Sequence, residues 1–308
     1  MTERSGRVVS LVSILIDLTL QVPALPPRGG DVLANQARRS VGGGFNLACA
    51  VARQGADCHY GAPHGTGPNG DLVRAALARE RVAAALPPTT EGDTGFCIAL
   101  IEPDMEHTYV TMPGVEARQR LDDLNRLATR SGDLIAVSGY DLIYPHSGPA
   151  LEQWISAVPP GRLALDPGPL ILDIPDRRLH NVLPHLSVLT MNQREARLLC
   201  GRDDIQGPAL LEATRHRLCL EAHVLLVVRE GHQGCVAAGA DLGARPTTIP
   251  ARRVTAVDTS GAGDTHTGVL LARLAQGNPT PAALDAANWA AAVSVTKQGS
   301  ASAPLRDD

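Results

Sequence analysis

The stretch from Val257 to Leu271 holds the residues whose types and spacing best fit a chemical task. Its small-residue turn, Ser260-Gly261-Ala262-Gly263, opens an apolar periodic run that predicts a helix. The first N–H groups of a helix lack intrahelical partners, and the helix dipole adds about half a positive charge there, so this turn is expected to bind an anion. Asp264 follows directly. A carboxylate beside an anion site repels the ligand unless it has a task, and taking a proton from an attacking hydroxyl is such a task.

Two segments near the start of the chain carry further candidates. Asp17 ends the apolar run Val8–Ile16, which predicts a strand buried on both faces of a parallel sheet. Open α/β sheets bind ligands at the carboxyl ends of such strands. Residues 42–46, Gly-Gly-Gly-Phe-Asn, precede a small-residue helix, and these glycines either let the backbone approach a ligand or form an ordinary helix-capping turn.

The elements that must position these residues follow from hydrophobic patterning. From Asp133 onward, strand-like and helical segments alternate, which predicts βαβ units with a parallel sheet. The segments are Leu134–Val137, a helix near 146–157, Leu163–Leu165, Leu186–Thr190, a helix from 193, Val224–Val228 and helices within 281–297. Residues 18–41 contain three prolines and predict edge strands that leave the main sheet. Residues 94–101 and 107–111 predict a hairpin.

Composition excludes several classes of protein. The formal net charge of −4 argues against a nucleic-acid partner, which normally needs a basic patch. Lys297 is the single lysine, so the phosphate loop with the pattern G-x-x-x-x-G-K-[ST] is impossible. Six cysteines without a C-x-x-C pair predict reduced thiols in a cytoplasmic protein. No signal peptide or membrane span is predicted, because the first apolar run is short and interrupted by Ser10, Ser13 and Asp17.

The turn and its flanks, Asp258-Thr-Ser-Gly-Ala-Gly-Asp264, resemble the D-T-x-G-A-G-D signature of the ribokinase-like (PfkB) family of sugar and nucleoside kinases. Residues 42–46 are similar to its first signature, G-G-x-N, and the resemblance covers essentially the whole chain. It implies an α/β fold of the ribokinase-like type, with a doubly wound, mostly parallel sheet flanked by helices. Residues 1–308 would form a single domain, with a small β lid made by about 18–41 and 93–114.

The resemblance also implies roles for individual residues. Asp264 would be the general base, and the backbone of Gly261, Ala262 and Gly263 would form an anion hole for the transferred phosphoryl. Asp17, by its expected place at the same sheet end, would bind the acceptor with Gly42, Gly43 and Asn46. Asn192 and Glu195, which match an N-x-x-E motif, would organise Mg²⁺, although Asn followed by Glu is also a common helix cap. The nucleotide would contact Asn192, Arg229, Gly231, Gly234 and Asn288.

The cofactors and partners implied in this way are ATP, Mg²⁺ and a monovalent cation such as K⁺, placed near the backbone of Asp258 and residues 294–303. The acceptor would be a sugar or a nucleoside, and the lid would form a homodimer contact. Arg229 has an equally reasonable alternative role, which is to cover the sheet edge. His266 stands where the family usually has an aromatic residue, and it is interpreted as packing at the helix start. Phe45 replaces a small residue of the family's first signature. His64 is interpreted as a solvated loop residue.

Two other functions compete with this interpretation. A dinucleotide-binding dehydrogenase would use the G-x-G at 261–263, but its fingerprint requires a glycine or alanine at His266 and lies in an opening βαβ unit. A non-catalytic sugar-binding protein on the same fold is the second alternative. Such a protein could dispense with Asp264, Asn192 and Glu195, and all three are present, which favours catalysis.

Overall fold

The computed structural model describes residues 6–104, 106–157 and 162–306. Thirteen strands lie within the described residues: β1 (Val8–Ser10), β2 (Ile14–Gln21), β3 (Gln36–Gly43), β4 (Cys58–Tyr60), β5 (Ala83–Ala84), β6 (Phe96–Ile101), β7 (His107–Met112), β8 (Leu134–Ser138), β9 (Leu163–Asp166), β10 (Leu186–Asn192), β11 (Leu225–Arg229), β12 (Gly234–Ala238) and β13 (Thr247–Pro250). The helices of the described residues are α1 (Gly44–Arg53), α2 (Pro68–Arg79), α3 (Leu121–Asn125), α4 (Gly139–Ile143), α5 (Ser147–Ile155), α6 (Asp176–Val182), α7 (Gln193–Cys200), α8 (Gly207–Arg217), α9 (Ala262–Ala275) and α10 (Thr280–Ser294).

Nine strands form the large sheet, in the order β13-β12-β11-β10-β9-β8-β1-β4-β5. All neighbours from β11 to β5 are parallel, whereas β12 and β13 are antiparallel additions at one edge. Apolar side chains on the two faces of this sheet belong to two separate buried clusters, each covered by helices. The predicted α/β fold with a mostly parallel, doubly wound sheet is therefore confirmed.

A second sheet of four strands, which we call the small sheet, has the order β3-β2-β6-β7. Strands β2 and β6 run parallel, and the two outer pairs run antiparallel. These strands occupy residues 14–43 and 96–112, the two parts of the chain where the sequence predicted a lid and a hairpin.

The prediction of one buried strand from Val8 to Ile16 was wrong, because the chain changes sheets within that run. β1 ends at Ser10, and β2 begins at Ile14 in the small sheet. The bend at Ser13 is held by a 2.6 Å hydrogen bond from its hydroxyl to the buried carboxylate of Asp141. Because Ile14 is as fully buried as Val8, the hydrophobic pattern carries no sign of the change.

The segment before the α9 turn is irregular. Residues 251–258 form no strand, and the last strand of the large sheet ends at Pro250. The turn is fixed instead by bonds from the backbone N–H groups of Val257 and Asp258 to the carbonyl of Val295, at 2.7 and 3.1 Å. Across the described residues, every helix is too short or too polar to cross a bilayer.

Candidate active site

Asp264 lies in the first turn of α9, directly after the glycine-containing turn. Gly261 has a φ of 71°, and a Cβ at this position would lie 2.1 Å from the carbonyl oxygen of Ser300. A side chain would therefore clash with the loop that passes over the turn. With 14 residues, α9 is long enough for its dipole to act at this end, so the turn at Gly261, Ala262 and Gly263 lies where the sequence placed an anion site, and anion binding there stays a prediction.

Asn46 is brought to Asp264 by the close packing of α1 against α9. A Cβ on Gly268 would lie 2.6 Å from the carbonyl oxygen of Leu47, so only a glycine permits this approach of the two helices. The side-chain amide of Asn46 donates a 2.9 Å hydrogen bond to Oδ2 of Asp264. Burial raises the pKa of Asp264 to about 6, while this hydrogen bond acts in the opposite direction. The result is a carboxylate whose basicity suits proton transfer near neutral pH.

Asp17 approaches the same cleft from the small sheet. It pairs with Ser40 across β2 and β3, and a Cβ on Gly42 would lie 1.8 Å from Oδ2 of Asp17. Gly42 thus makes room for the carboxylate, whereas Gly43, with a φ of 58°, allows the chain to turn into α1. Burial raises the pKa of Asp17 to about 6, and the charge of Arg38 opposes that rise. Asp17 accepts no hydrogen bond from any described residue, so its acceptor capacity is available to a ligand.

Arg229, at the end of β11, is held by Asp166 at the end of β9. One guanidinium nitrogen lies 2.6 Å from Oδ2 of Asp166 and 2.7 Å from the hydroxyl of Thr267, and it also contacts the carbonyl of Gly263 at 3.3 Å. Burial is the largest single effect and acts to lower the pKa of Arg229, but the charge and hydrogen bond of Asp166, with the charges of Glu195 and Asp264, together raise that pKa. Arg229 therefore joins the large sheet to the first turn of α9, a contact that neither of its two predicted roles included.

Asn192 and Glu195 form a reciprocal cap at the start of α7. The Glu195 carboxylate accepts hydrogen bonds from the backbone and side-chain nitrogens of Asn192, at 2.8 and 2.7 Å, and Asn192 Oδ1 accepts from the Glu195 N–H at 2.8 Å. Glu195 also lies 3.8 Å from the guanidinium of Arg229. Burial, followed by the charge of Asp166, raises the pKa of Glu195. The helix-cap alternative is thus present in the structure, at the same sheet end as Asp166.

The remaining residues predicted to contact nucleotide are Gly231, Gly234 and Asn288. Gly231 and Gly234 flank the turn from β11 to β12, and a Cβ on Gly234 would lie 2.1 Å from the carbonyl oxygen of Ile249. Asn288 is buried, and its amide is engaged at both ends. Its nitrogen donates to the Ile249 carbonyl at 2.9 Å, and its oxygen lies 3.2 Å from His266 Nε2.

His266 packs in the interior of the protein, as its interpretation from sequence expected. Because the oxygen of Asn288 can only accept, His266 Nε2 must donate, which fixes the neutral tautomer with its proton on Nε2. Burial lowers the pKa of His266 to about 3. His64, interpreted as solvated, is instead only 1% exposed, and Phe45 lies in the core. The exposure of His64 was predicted wrongly from its loop position, because residues 89–94 cover the 64–65 segment.

Comparison with known proteins agrees with this arrangement. The profile of the pfkB family carbohydrate kinases matches residues 5–307. A protein of Escherichia coli K12 named "Uncharacterized sugar kinase YegV" is 32% identical over 308 residues, which span 100% of this chain and 93% of that protein. The chain belongs to the pfkB family of carbohydrate kinases.

Other relatives of this kinase place it within the same family. The ribokinase of Staphylococcus aureus is 25% identical over 99% of this chain and 98% of its own length. The crystal structure of a ribokinase from Cryptococcus neoformans in complex with ADP superposes with a TM-score of 0.82 at 22% identity, covering 99% of this chain and 98% of that chain. That likeness shows the fold and confirms the ribokinase-like architecture.

Two residues of the kinase site were missed by reasoning from sequence. Asp166 was visible as an acid at the carboxyl end of a parallel strand, the signal that had drawn attention to Asp17. Asp258 was considered as part of a motif and for its backbone, and no role was given to its side chain. Its carboxylate accepts the N–H of Ser260 and the N–H of Gly299, each at 2.9 Å, and so ties the turn before α9 to the loop that passes over it.

Proposed function

We propose that this carbohydrate kinase transfers the γ-phosphoryl group of ATP to a hydroxyl of a sugar or sugar-like small molecule, with Asp264 as the general base. The observation that carries the proposal is the position of Asp264, whose pKa is raised to about 6 in the first turn of α9, beside an anion-binding turn. A base with this pKa is mostly ionised at neutral pH and can still take a proton from a hydroxyl as its oxygen attacks phosphorus.

One set of residues would bind the acceptor, and another would bind the transferred phosphoryl group. Asp17 offers both carboxylate oxygens to acceptor hydroxyls, and Gly42 and Gly43 keep the backbone beside it free of side chains. Asn46 hydrogen bonds Asp264 and orients the carboxylate oxygen that takes the proton. On the other side, N–H groups of the turn would bind the oxygens of the transferred phosphoryl, on which negative charge is concentrated.

Arg229 has a positioning role in this proposal. It binds Asp166, Thr267 and the Gly263 carbonyl together, so the first turn of α9 is fixed relative to the large sheet before any ligand arrives. Catalysis by positioning and charge needs this rigidity, because phosphoryl transfer leaves little covalent chemistry to the protein.

The residues at the start of α7 fit a magnesium ion through its water shell. Each oxygen of Glu195 already accepts one N–H from Asn192, which leaves lone pairs for metal-bound water more readily than for direct ligation. Glu195 and Asn192 would hold that shell, and a bound Mg²⁺ would neutralise charge on the ATP phosphates.

The surroundings of Asp258 do not fit a monovalent cation in the same way. Its carboxylate holds two N–H groups and lies 3.8 Å from the guanidinium of Arg38. Several carbonyls of the 294–303 segment already accept hydrogen bonds: Ser294 from Ser302, Val295 from Val257 and Asp258, and Ala301 and Ala303 from Arg53. We therefore assign no catalytic step to K⁺.

The small sheet would act as the lid and, by its outer face, as the contact of a homodimer. Val110 and Met112, which alternate with the cleft-facing positions of β7, are 59% and 60% exposed. Apolar side chains at this exposure on a sheet face fit a second copy of the chain. A cytoplasmic location belongs to the same proposal, since ATP is the donor and the described cysteines are free thiols.

A coupled assay of ADP release, with Mg²⁺·ATP and a panel of sugars and nucleosides, tests the proposed function. The panel includes D-ribose and D-fructose, because relatives are named ribokinase and fructokinase. We expect at least one sugar to raise ADP release well above the rate without acceptor, and Asp264→Asn to abolish that increase. A nucleoside as the preferred acceptor would move the protein to the nucleoside branch of the family. Tight sugar binding without ADP release would indicate a non-catalytic sugar-binding protein.

A further inference from the structure

Arg38 projects from β3 of the small sheet on the side that faces the cleft. Ser40 pairs with Asp17 across the two strands, and side chains two residues apart on a strand share a face, so Arg38, Ser40 and Asp17 lie on one face. The strand rise places Arg38 about 7 Å from Ser40 along β3. The opposite face carries Arg39, which donates to Asn69 Oδ1 at the start of α2.

The guanidinium of Arg38 lies over the junction between the α9 turn and the loop above it. One of its nitrogens is 3.8 Å from Oδ2 of Asp258, and a Cβ on Gly299 would lie 3.4 Å from another. Asp258 accepts the N–H of Ser260, the first residue of the turn, and the next loop residue, Ser300, touches Gly261. The guanidinium therefore lies beside Asp258 and Gly299, and each of these is one or two residues along the chain from the backbone of the α9 turn or from the residue that covers it.

The guanidinium of Arg38 is not held by Asp258. The distance of 3.8 Å to Asp258 exceeds hydrogen-bonding range, and both oxygens of Asp258 already accept backbone N–H groups. The side chain is 39% exposed, and it lines a cavity of about 340 Å³ together with Ser40 and residues 297–302. Arg229, by contrast, has its guanidinium fixed between Asp166 and Thr267.

We propose that Arg38 is a catalytic residue that the lid delivers to the phosphoryl group in transit from ATP to the acceptor. This inference rests on the proposed function. As the acceptor oxygen bonds to phosphorus and the bond to the ADP oxygen breaks, negative charge on the transferred group is met by the turn on one side and by this guanidinium on the other. Arginine suits the task because its planar donors match phosphate oxygens and its charge is permanent.

Two other roles fit the surroundings less well. A fixed latch between lid and body would require a direct hydrogen bond to Asp258, and the guanidinium lies 3.8 Å from that carboxylate, outside hydrogen-bonding range. Recognition of an anionic acceptor would place that anion beside the carboxylate of Asp17, whereas the guanidinium of Arg38 lies by Asp258 and Gly299.

Binding of Mg²⁺·ADP with aluminium fluoride, a mimic of the transferring phosphoryl group, tests the inference without any knowledge of the acceptor. We expect the parent protein to bind this combination at least tenfold more tightly than Mg²⁺·ADP alone. Arg38→Gln should lose about ten- to a hundredfold of affinity for the mimic and keep its affinity for Mg²⁺·ADP. Arg39→Gln, the neighbouring arginine on the opposite face, should retain both affinities.

The outcomes distinguish the role of Arg38 from the proposed function. If the parent gains affinity from aluminium fluoride and Arg38→Gln gains equally, the role of Arg38 is overturned and the proposed function stands. If the parent protein gains no affinity from aluminium fluoride, both the role of Arg38 and the proposed function are overturned. A double-mutant cycle with Asp258→Asn excludes a latch: a catalytic guanidinium keeps its full effect in the Asp258→Asn background, whereas a latch shows no further loss there.

Discussion

The two walls of the cleft differ in how their charged groups are satisfied. On the α9 wall, Arg229 is bound by Asp166 and Thr267, and Asp258 holds two N–H groups. On the small-sheet wall, Asp17 has no hydrogen bond from a described residue, and Arg38 stays 3.8 Å from the nearest carboxylate. The first wall is organised before any ligand binds. The second leaves its groups for ligands to satisfy, which fits the proposed role of the small sheet as a lid.

The largest expected effect comes from the organised wall. Asp264→Asn keeps the shape of the side chain and removes the base, so kcat should fall by about 10²–10⁴-fold while the affinity for Mg²⁺·ADP is retained. Steady-state kinetics and nucleotide titration measure the two quantities. Asp204→Asn, which removes a surface carboxylate paired with Arg202, is the control. An unchanged kcat in Asp264→Asn would end the assignment of the base.

The same variant has a predictable effect on stability. Because the pKa of Asp264 is raised in the folded state, folding binds a proton between about pH 4 and pH 6, and the ionised carboxylate opposes folding above pH 6. Asp264→Asn should therefore melt at or above the parent's temperature at pH 8, and the difference should vanish below pH 4. A lower melting temperature at pH 8 would mean that Asp264 stabilises the fold.

On the ligand-dependent wall, Asp17→Ala should weaken kcat/KM for the sugar by about ten- to a hundredfold, the value of a charge-assisted hydrogen bond to a ligand. The affinity for ATP should be almost unaffected, since the nucleotide is expected at the α9 turn. The melting temperature should not fall, because the carboxylate stabilises no described neighbour. A lowered melting temperature with an unaltered sugar KM would make Asp17 a structural residue and remove the contrast between the walls.

The pH profile sharpens the comparison, because burial raises the pKa of a carboxylate on each wall, Asp264 and Asp17, to about 6. Both are proposed to act in the ionised form, so kcat/KM should fall by about tenfold or more from pH 7 to pH 5. Asp17→Asn should keep an acidic limb near pH 6 that belongs to Asp264 alone. A profile that is flat down to pH 4.5 would mean that neither carboxylate is needed in its charged form.

Glu195→Gln should raise the Mg²⁺ concentration needed for half-maximal rate by about tenfold and leave the sugar KM unchanged, because the carboxylate is proposed to hold metal-bound water. Glu152→Gln, a carboxylate paired with Arg178 and Asn181 away from the cleft, serves as the control. Overlapping Mg²⁺ titrations of parent and variant would reduce Asn192 and Glu195 to a helix cap.

The smallest expected effect concerns monovalent cations. Since Asp258 accepts two N–H groups and several carbonyls of the 294–303 segment already accept hydrogen bonds, initial rates in K⁺ and in tetramethylammonium at equal ionic strength should agree within about twofold. A strong dependence on K⁺ would show that this segment rearranges when ligands bind.

Much of this protein followed from the sequence alone, because the relevant signals are local. The turn at 260–264 combines glycines with an acid at a helix start, and that combination has a chemical meaning wherever it occurs. The alternation of apolar strands and helices after Asp133 determined the parallel sheet. The two segments of the small sheet were visible as strand-like runs that precede this alternation.

Tertiary structure decided what depends on distant neighbours. The hydrophobic pattern could not show that the chain changes sheets at Ser13, since Val8 and Ile14 are buried alike in different sheets. The partner of Arg229 is Asp166, 63 residues away, and that of Asp264 is Asn46, 218 residues away. Spacing along the chain carries no information about such pairs. Burial, and with it the raised pKa that suits Asp264 to act as a base, exists only once these segments pack together.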